Sequence, residues 1–163
     1  MNSLIQKILI GFNNRQIINV LNSGCSVDIL PKDLDSILNY FTEADGRNTE
    51  DLAPIIPDLN SKNQINGVGP DQFKLISDDI VAFQDIEEAL RHNRNGALRQ
   101  KYKNAIKLLN IQYTAKFQGR FPEFVVQAAT AHREKSNCDD IMTIKFIGLM
   151  HYMYSVCDIG IRP

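Results

Sequence analysis

The chain has no run of about 18 uncharged apolar residues, and Lys7, Asn13, Asn14 and Arg15 interrupt its first twenty positions. That pattern predicts neither a membrane span nor an export leader. Cysteine is also scarce. Cys25, Cys138 and Cys157 are odd in number and far apart, so they form no disulfide framework and fit a reducing compartment. The expected location is the cytoplasm. Missing too are the C-x-x-C, H-E-x-x-H, G-x-S-x-G and P-loop patterns. Gly67-Val68-Gly69 before Pro70 lacks the third glycine and the preceding strand of a dinucleotide fold.

The remaining chemistry-bearing residues read as structural. His132 with Cys138, and His151 with Cys157, are each six apart, which on a helix turns the side chains roughly 240° from one another. No metal site is expected. The pairs Asp78-Asp79, Glu87-Glu88 and Asp139-Asp140 point in different directions if helical and otherwise read as caps and turns. The chain is expected to be neither an enzyme nor a cofactor binder.

What is present is an ordinary folding composition. With 163 residues, 44% hydrophobic and 23% charged, the chain is the size of one domain with one core, spanning 1–163. The dominant periodicity is near 3.6. Leu4, Ile5, Ile8, Leu9, Phe12, Ile17, Ile18 and Leu21 predict two short helices or one kinked helix over Ser3 to Leu21. Pro31 then opens a helix with Leu34, Ile37, Leu38 and Phe41 on its buried face, ending near Ala44.

Asp45 to Gly69 is the longest connection, with a short helix expected around Ser61 to Ile65. Phe73, Ile76, Ile80, Phe83, Ile86 and Leu90 predict helix from Pro70, broken near Asp78-Asp79 and ended by Asn93 to Gly96. From Gly96 to Gln118 runs the clearest helix, with Leu98, Tyr102, Ala105, Leu109 and Tyr113 on one face. Pro122 starts another. Asn137 to Asp139 cap the last, Ile141 to about Val156, with Gly160 as its C′ stop. Val27 to Leu30 is too short to argue for a strand. The predicted fold class is all-α, a bundle-like domain of about six to seven helices.

Charge is polarised although the net is only −1. Residues 1–90 hold 6 Lys or Arg against 14 Asp or Glu, and residues 91–163 hold 12 against 5. No acid lies between Arg91 and Pro122. On the helix there, Arg99, Lys103 and Lys107 form a ladder at i+4 spacing, with Tyr102, Tyr113 and Phe117 interleaved. Clustered cations fit either a charge-complementary protein surface or phosphate tracking along a nucleic acid by residues 96–118. The aromatics fall largely on the apolar face, which favours protein.

The closing run His151-Tyr152-Met153-Tyr154-Ser155-Val156-Cys157-Asp158-Ile159-Gly160 resembles the end of the C-terminal domains of bacterial ABC-three-component conflict systems. In those domains an aromatic-rich helix runs into Cys-Asp-Ile-Gly. Ser61 to Asn66, Lys101 to Asn104 and Leu108 to Asn110 are similar to further segments of the family, so the likeness covers roughly Asp45 to Gly160. The resemblance implies an antiphage-defence adaptor that links an effector, such as a nuclease or protease, to an SMC-like ABC ATPase through protein contacts. A start at Met1 leaves no room for an effector, so a stand-alone adaptor, a piece of a longer protein or a relative that lost its effector is expected. The partner-binding residues expected are Arg99, Lys103, Lys107, Tyr152, Cys157 and Asp158.

Asp158 just past a helix C-terminus carries the wrong sign for the macrodipole. A compensating cation is therefore expected, supplied within the chain by Arg91 to Arg120 or from outside by a basic residue of the partner, the former being favoured. Tyr152, Cys157 and Asp158 would then clip the chain end to the body.

Overall fold

The computed structural model describes residues 26–43, 59–78, 80–92, 94–137 and 139–163, with the backbone alone for 41–43, 77–78 and 80–85. The helix expected over Ser3 to Leu21, Cys25 and Cys138 lie outside the described residues. Those described form seven α-helices and one π-helical turn, with no strand. In chain order they are α1 (Leu34–Glu43), α2 (Asn60–Ile65), α3 (Pro70–Asp78), α4 (Ile80–Arg91), α5 (Gly96–Gln112), α6 (Phe121–Ser136) and α7 (Asp140–Ser155). The π turn is Tyr113–Phe117. The fold is all-α, as the periodicity predicts, and no described helix is long and apolar enough to cross a membrane.

α7 is the central element. From Phe146 to Ser155 every residue is buried, and a helix apolar on all sides must be surrounded. It packs against α1, α3, α4 and α6. Asp139 caps its first turn, the carboxylate accepting the Met142 N–H at 2.9 Å. Asn137, with φ 45°, ends α6 in the left-handed conformation. α6 opens as Pro122 requires, within its first turn.

α5 continues into the π turn for a reason visible in its sequence. Leu98, Tyr102, Ala105, Leu109 and Tyr113 are buried at α-helical spacing, and an undistorted continuation would next turn Lys116 toward the core. The wider turn slips the register by one residue. Phe117 is buried instead, and Lys116 reaches out to the Asp28 carboxylate. Residues just before α1 are strapped to the same place. The Ile29 N–H donates to Gln112 Oε1 at 3.0 Å, and the Gln112 amide donates back to the Ile29 carbonyl.

The stop after α7 differs from the expectation. Gly160 is not the C′ residue: Cys157 is, with φ 62°. Its N–H donates to the Tyr154 carbonyl at 3.1 Å, and the Asp158 N–H to the Met153 carbonyl at 2.8 Å. Those two bonds make a Schellman ending with a cysteine where glycine is usual. Gly160, also left-handed at φ 92°, serves the tail beyond.

Candidate functional site

α5 and the π turn that continues it sort their cations into two groups. Lys101 and Lys116 are spent inside the molecule, Lys101 lying 3.9 Å from Asp33 and Lys116 on Asp28. Both join the basic half of the sequence to the acidic half. Arg99 is occupied as well, donating to the carbonyls of Leu90 (3.2 Å) and His92 (2.7 Å) at the end of α4. A cation there suits the negative end of the α4 dipole. Lys103 and Lys107 are exposed, one turn apart, and have no ion pair among the described residues.

Beside them the helix exposes apolar side chains. Leu108 is 37% and Ile111 56% exposed, although the pattern of residues 96–118 assigned hydrophobic side chains mainly to the buried face. A ladder of cations against aliphatic carbon is a surface that water satisfies poorly. Sequence reasoning missed these two residues. The signal was available, since Leu108 and Ile111 fall off the stripe defined by Tyr102, Ala105 and Leu109.

The aromatics of α5 and its π turn face inward. Tyr113 lies 6.2 Å from Phe121 and 5.4 Å from Phe124, ring centre to ring centre, and Phe117 5.3 Å from Phe124. No ring of α5 is left to stack on a base.

The second constellation is the end of α7. Tyr152 is buried, its ring 6.3 Å from Tyr102. The Tyr102 hydroxyl donates to Asp158 Oδ2 at 2.6 Å, and the Asn110 amide donates to the Asp158 carbonyl. The expected clip of the chain end onto α5 therefore exists, but its partners are a neutral hydroxyl and an amide rather than a cation of Arg91 to Arg120. The cation sits elsewhere. Lys62 of α2, 1% exposed, donates from Nζ to the Tyr154 carbonyl and lies 4.1 Å from the centre of the Tyr154 ring. An ammonium at a helix C-terminus offsets the macrodipole and the displaced Asp158 together. Burial lowers the Lys62 pKa, while Cys157 and Asp158 work against the shift.

Asn66, fully buried, joins the pieces. Its Nδ2 donates to the carbonyls of Lys62 (2.7 Å) and Ile161 (2.8 Å), and its Oδ1 accepts from Tyr113 Oη (2.6 Å) and Ile161 N (2.7 Å). Its carbonyl accepts the Phe121 N–H at 2.9 Å. One side chain thus ties α2, the π turn and the C-terminal tail. Neither Lys62 nor Asn66 was legible as core, because both stand in a polar run of the longest connection. Elsewhere, among the described residues, no three His, Cys, Asp or Glu side chains gather as a metal would require. His132 stacks 4.7 Å from Phe146 and bonds Asp35 at 2.8 Å.

The buried phenols make the fold sensitive to alkali. Desolvation first, and for Tyr102 the Asp158 carboxylate second, raise the pKa values of Tyr102, Tyr113 and Tyr154, and Tyr152 is pushed up to about 12. Unfolded tyrosines ionise near 10. Above that pH the unfolded state sheds protons that the folded state keeps, so stability is full below pH 10 and falls as pH rises toward 12. The loss is up to about 1.4 kcal/mol per pH unit for each buried phenol. Lys62 acts oppositely, but its effect is complete near the unfolded lysine value of 10.5. Urea unfolding midpoints should not fall up to about pH 9, where Lys62 can only raise them, and should drop steeply by pH 11; no drop by pH 11 contradicts the burial of these hydroxyls.

Neither a curated protein nor a solved structure shows significant similarity to the chain. A family model does match, over residues 24–160, a span that takes in α1 to α7, the π turn and the Cys157–Asp158 ending. The family is described as C-terminal domain 12 of the ABC-three component systems. With most of its length matched, the chain belongs to that family.

Proposed function

We propose that this domain is a non-catalytic adaptor of an antiphage ABC-three-component system, coupling an effector to an SMC-like ABC ATPase by docking on a protein partner. The observation that carries this reading is the outer face of α5. Lys103 and Lys107 stand exposed and unpaired among the described residues beside exposed Leu108 and Ile111, while Lys101 and Lys116 of the same run are consumed internally. Surface lysines that neither cap nor pair contribute little to folding. Placed against aliphatic side chains, they suit a partner that presents carboxylates around an apolar ridge.

A nucleic acid is the weaker occupant, since the aromatics of this segment are inside and two of its cations are already paired. Lys103→Glu with Lys107→Glu tests the reading. The double variant should bind the co-expressed ATPase or middle component at least about tenfold more weakly, the effect of losing roughly 1.4 kcal/mol. Its circular dichroism and Tm should be unchanged. Arg99 is left intact because it caps α4. Undiminished capture of both components overturns this face. A steep linear fall of log affinity with log salt for DNA or RNA, abolished by the same variant, would favour the nucleic-acid reading instead.

A further inference from the structure

The exposed face of α5 continues onto the segment that precedes α1. Gln112 is 7% exposed and stands on the buried stripe of Leu98, Tyr102, Ala105 and Leu109, so a polar amide occupies a place where packing alone asks for an aliphatic side chain. Both ends of that amide serve one residue. Oε1 accepts the Ile29 N–H at 3.0 Å, and Nε2 donates to the Ile29 carbonyl. Lys116 ties the same segment down from the π turn, donating to the Ser26 carbonyl at 3.2 Å and to the Asp28 carboxylate. With its backbone fixed in this way, Ile29 still leaves its side chain outside, 59% exposed. Its bonds to Gln112 set it beside the last turn of α5, where it prolongs the strip of exposed aliphatic carbon that Leu108 and Ile111 begin.

That strip runs next to Lys103 and Lys107, which have no ion pair among the described residues. From Lys103 to Ile111 it covers about 12 Å, a little over two helical turns. An occupant must bring carboxylates to the two lysines, since α5 carries no acid of its own. It must also satisfy its own N–H and carbonyl groups when laid on aliphatic carbon, because the described residues offer no strand edge to pair with. A helix does so internally, and an extended segment does not. Building on the reading that α5 docks a component of the system, we infer that the occupant is an acidic amphipathic α-helix of that component. It lies along α5 with its apolar stripe on Leu108, Ile111 and Ile29 and with acidic residues one turn apart opposite Lys103 and Lys107. The Gln112 clamp on Ile29 forms the far end of the apolar strip before the partner arrives, which lowers the ordering cost of binding.

The test uses the full chain co-expressed with the ATPase and the middle component. Ile29→Asp and Ile29→Lys remove the same exposed aliphatic group and differ in the charge they offer the partner. Ile29→Asp should weaken capture at least about tenfold and Ile29→Lys no more than about threefold, with Tm unchanged in both. Equal losses, or undiminished capture by Ile29→Asp, overturn the acidic helix. A photo-reactive benzophenone side chain at position 29 or 111 should join the chain to a partner peptide that has acidic residues three or four apart and aliphatic residues at helical spacing. Joining to a second copy, to another part of this chain or to a partner peptide without that pattern overturns it as well. Capture left undiminished by Lys103→Glu with Lys107→Glu removes the docking reading and this inference together. Capture lost in that variant but kept in Ile29→Asp removes this inference alone.

Discussion

Asn66→Ala should lower the melting temperature by about 10 °C. The substitution removes four side-chain hydrogen bonds at a site of zero exposure and strands the Ile161 N–H, the Ile161 carbonyl and the proton of the Tyr113 hydroxyl, whose oxygen keeps the Gly119 N–H at 3.1 Å. Each buried polar group left without a partner costs about 1–3 kcal/mol. Some relaxation of the tail will bring water to the Ile161 groups, so the net loss should be about 3–4 kcal/mol rather than the full sum. In a domain of this length each kcal/mol shifts Tm by about 2–4 °C. Asn104→Ala is the control, since Asn104 is exposed and bonded only within α5, to Gln100 at 3.1 Å; it should move Tm by no more than about 2 °C. A drop below 3 °C for Asn66→Ala would mean that the hub is not closed in solution.

Gly67→Ala should destabilise by about 3 kcal/mol or more, for reasons of backbone alone. Gly67 has φ 68°, and a Cβ on it would stand 2.4 Å from the carbonyl oxygen of Gly119. Both the strain and the clash fall on main chain, which cannot turn aside as a side chain would. Gly119, with φ 76°, faces Gly67 from the end of the π turn, so neither side can yield without moving α2 away from α6. The informative contrast is Gly148→Ala in the middle of α7. Outside the backbone of α7 itself and the two chain neighbours, no described atom lies within 4 Å of its added Cβ, and alanine is the better helix former by up to about 1 kcal/mol. Thermal denaturation should separate the two variants in opposite directions. Equal losses would argue against the close approach of residues 67 and 119.

These sensitivities sit where the sequence is least readable. The end of α1, the start of α6 and both ends of α7 follow within a residue or two from apolar spacing and from Pro122 and Asp139, because those signals are local. The α3–α4 break near Asp78 and the short α2 are legible for the same reason. The π turn is not, since a one-residue slip shows only when Phe117 rather than Lys116 proves to be inside. Gly160 drew the C′ assignment that belongs to Cys157 because glycine is the usual occupant of a left-handed position. Lys62 and Asn66 were hidden by polarity: a lysine and an asparagine in a Pro- and Gly-punctuated stretch read as solvent-facing until residues about ninety positions away come to cover them. Of the expected binding residues, the structure leaves Lys103 and Lys107 outermost, uses Arg99 as a cap, and folds Tyr152, Cys157 and Asp158 into the end of α7.

The separation between α2 and its partners also orders events in time. A six-residue helix has too few internal bonds to persist alone, and what holds this one, Tyr154, Ile161 and Tyr113, lies 47 to 95 positions downstream. Contacts between α5, the π turn, α6 and α7 join neighbours in the chain and close cheaply, whereas those of α2 must wait for a long loop to close. On a translating ribosome residues 60–66 thus remain without their docking surface until the Tyr154–Ile161 stretch has emerged, and α2, like α1, α3 and α4, gains its contacts with α7 only after the whole of that helix has been made.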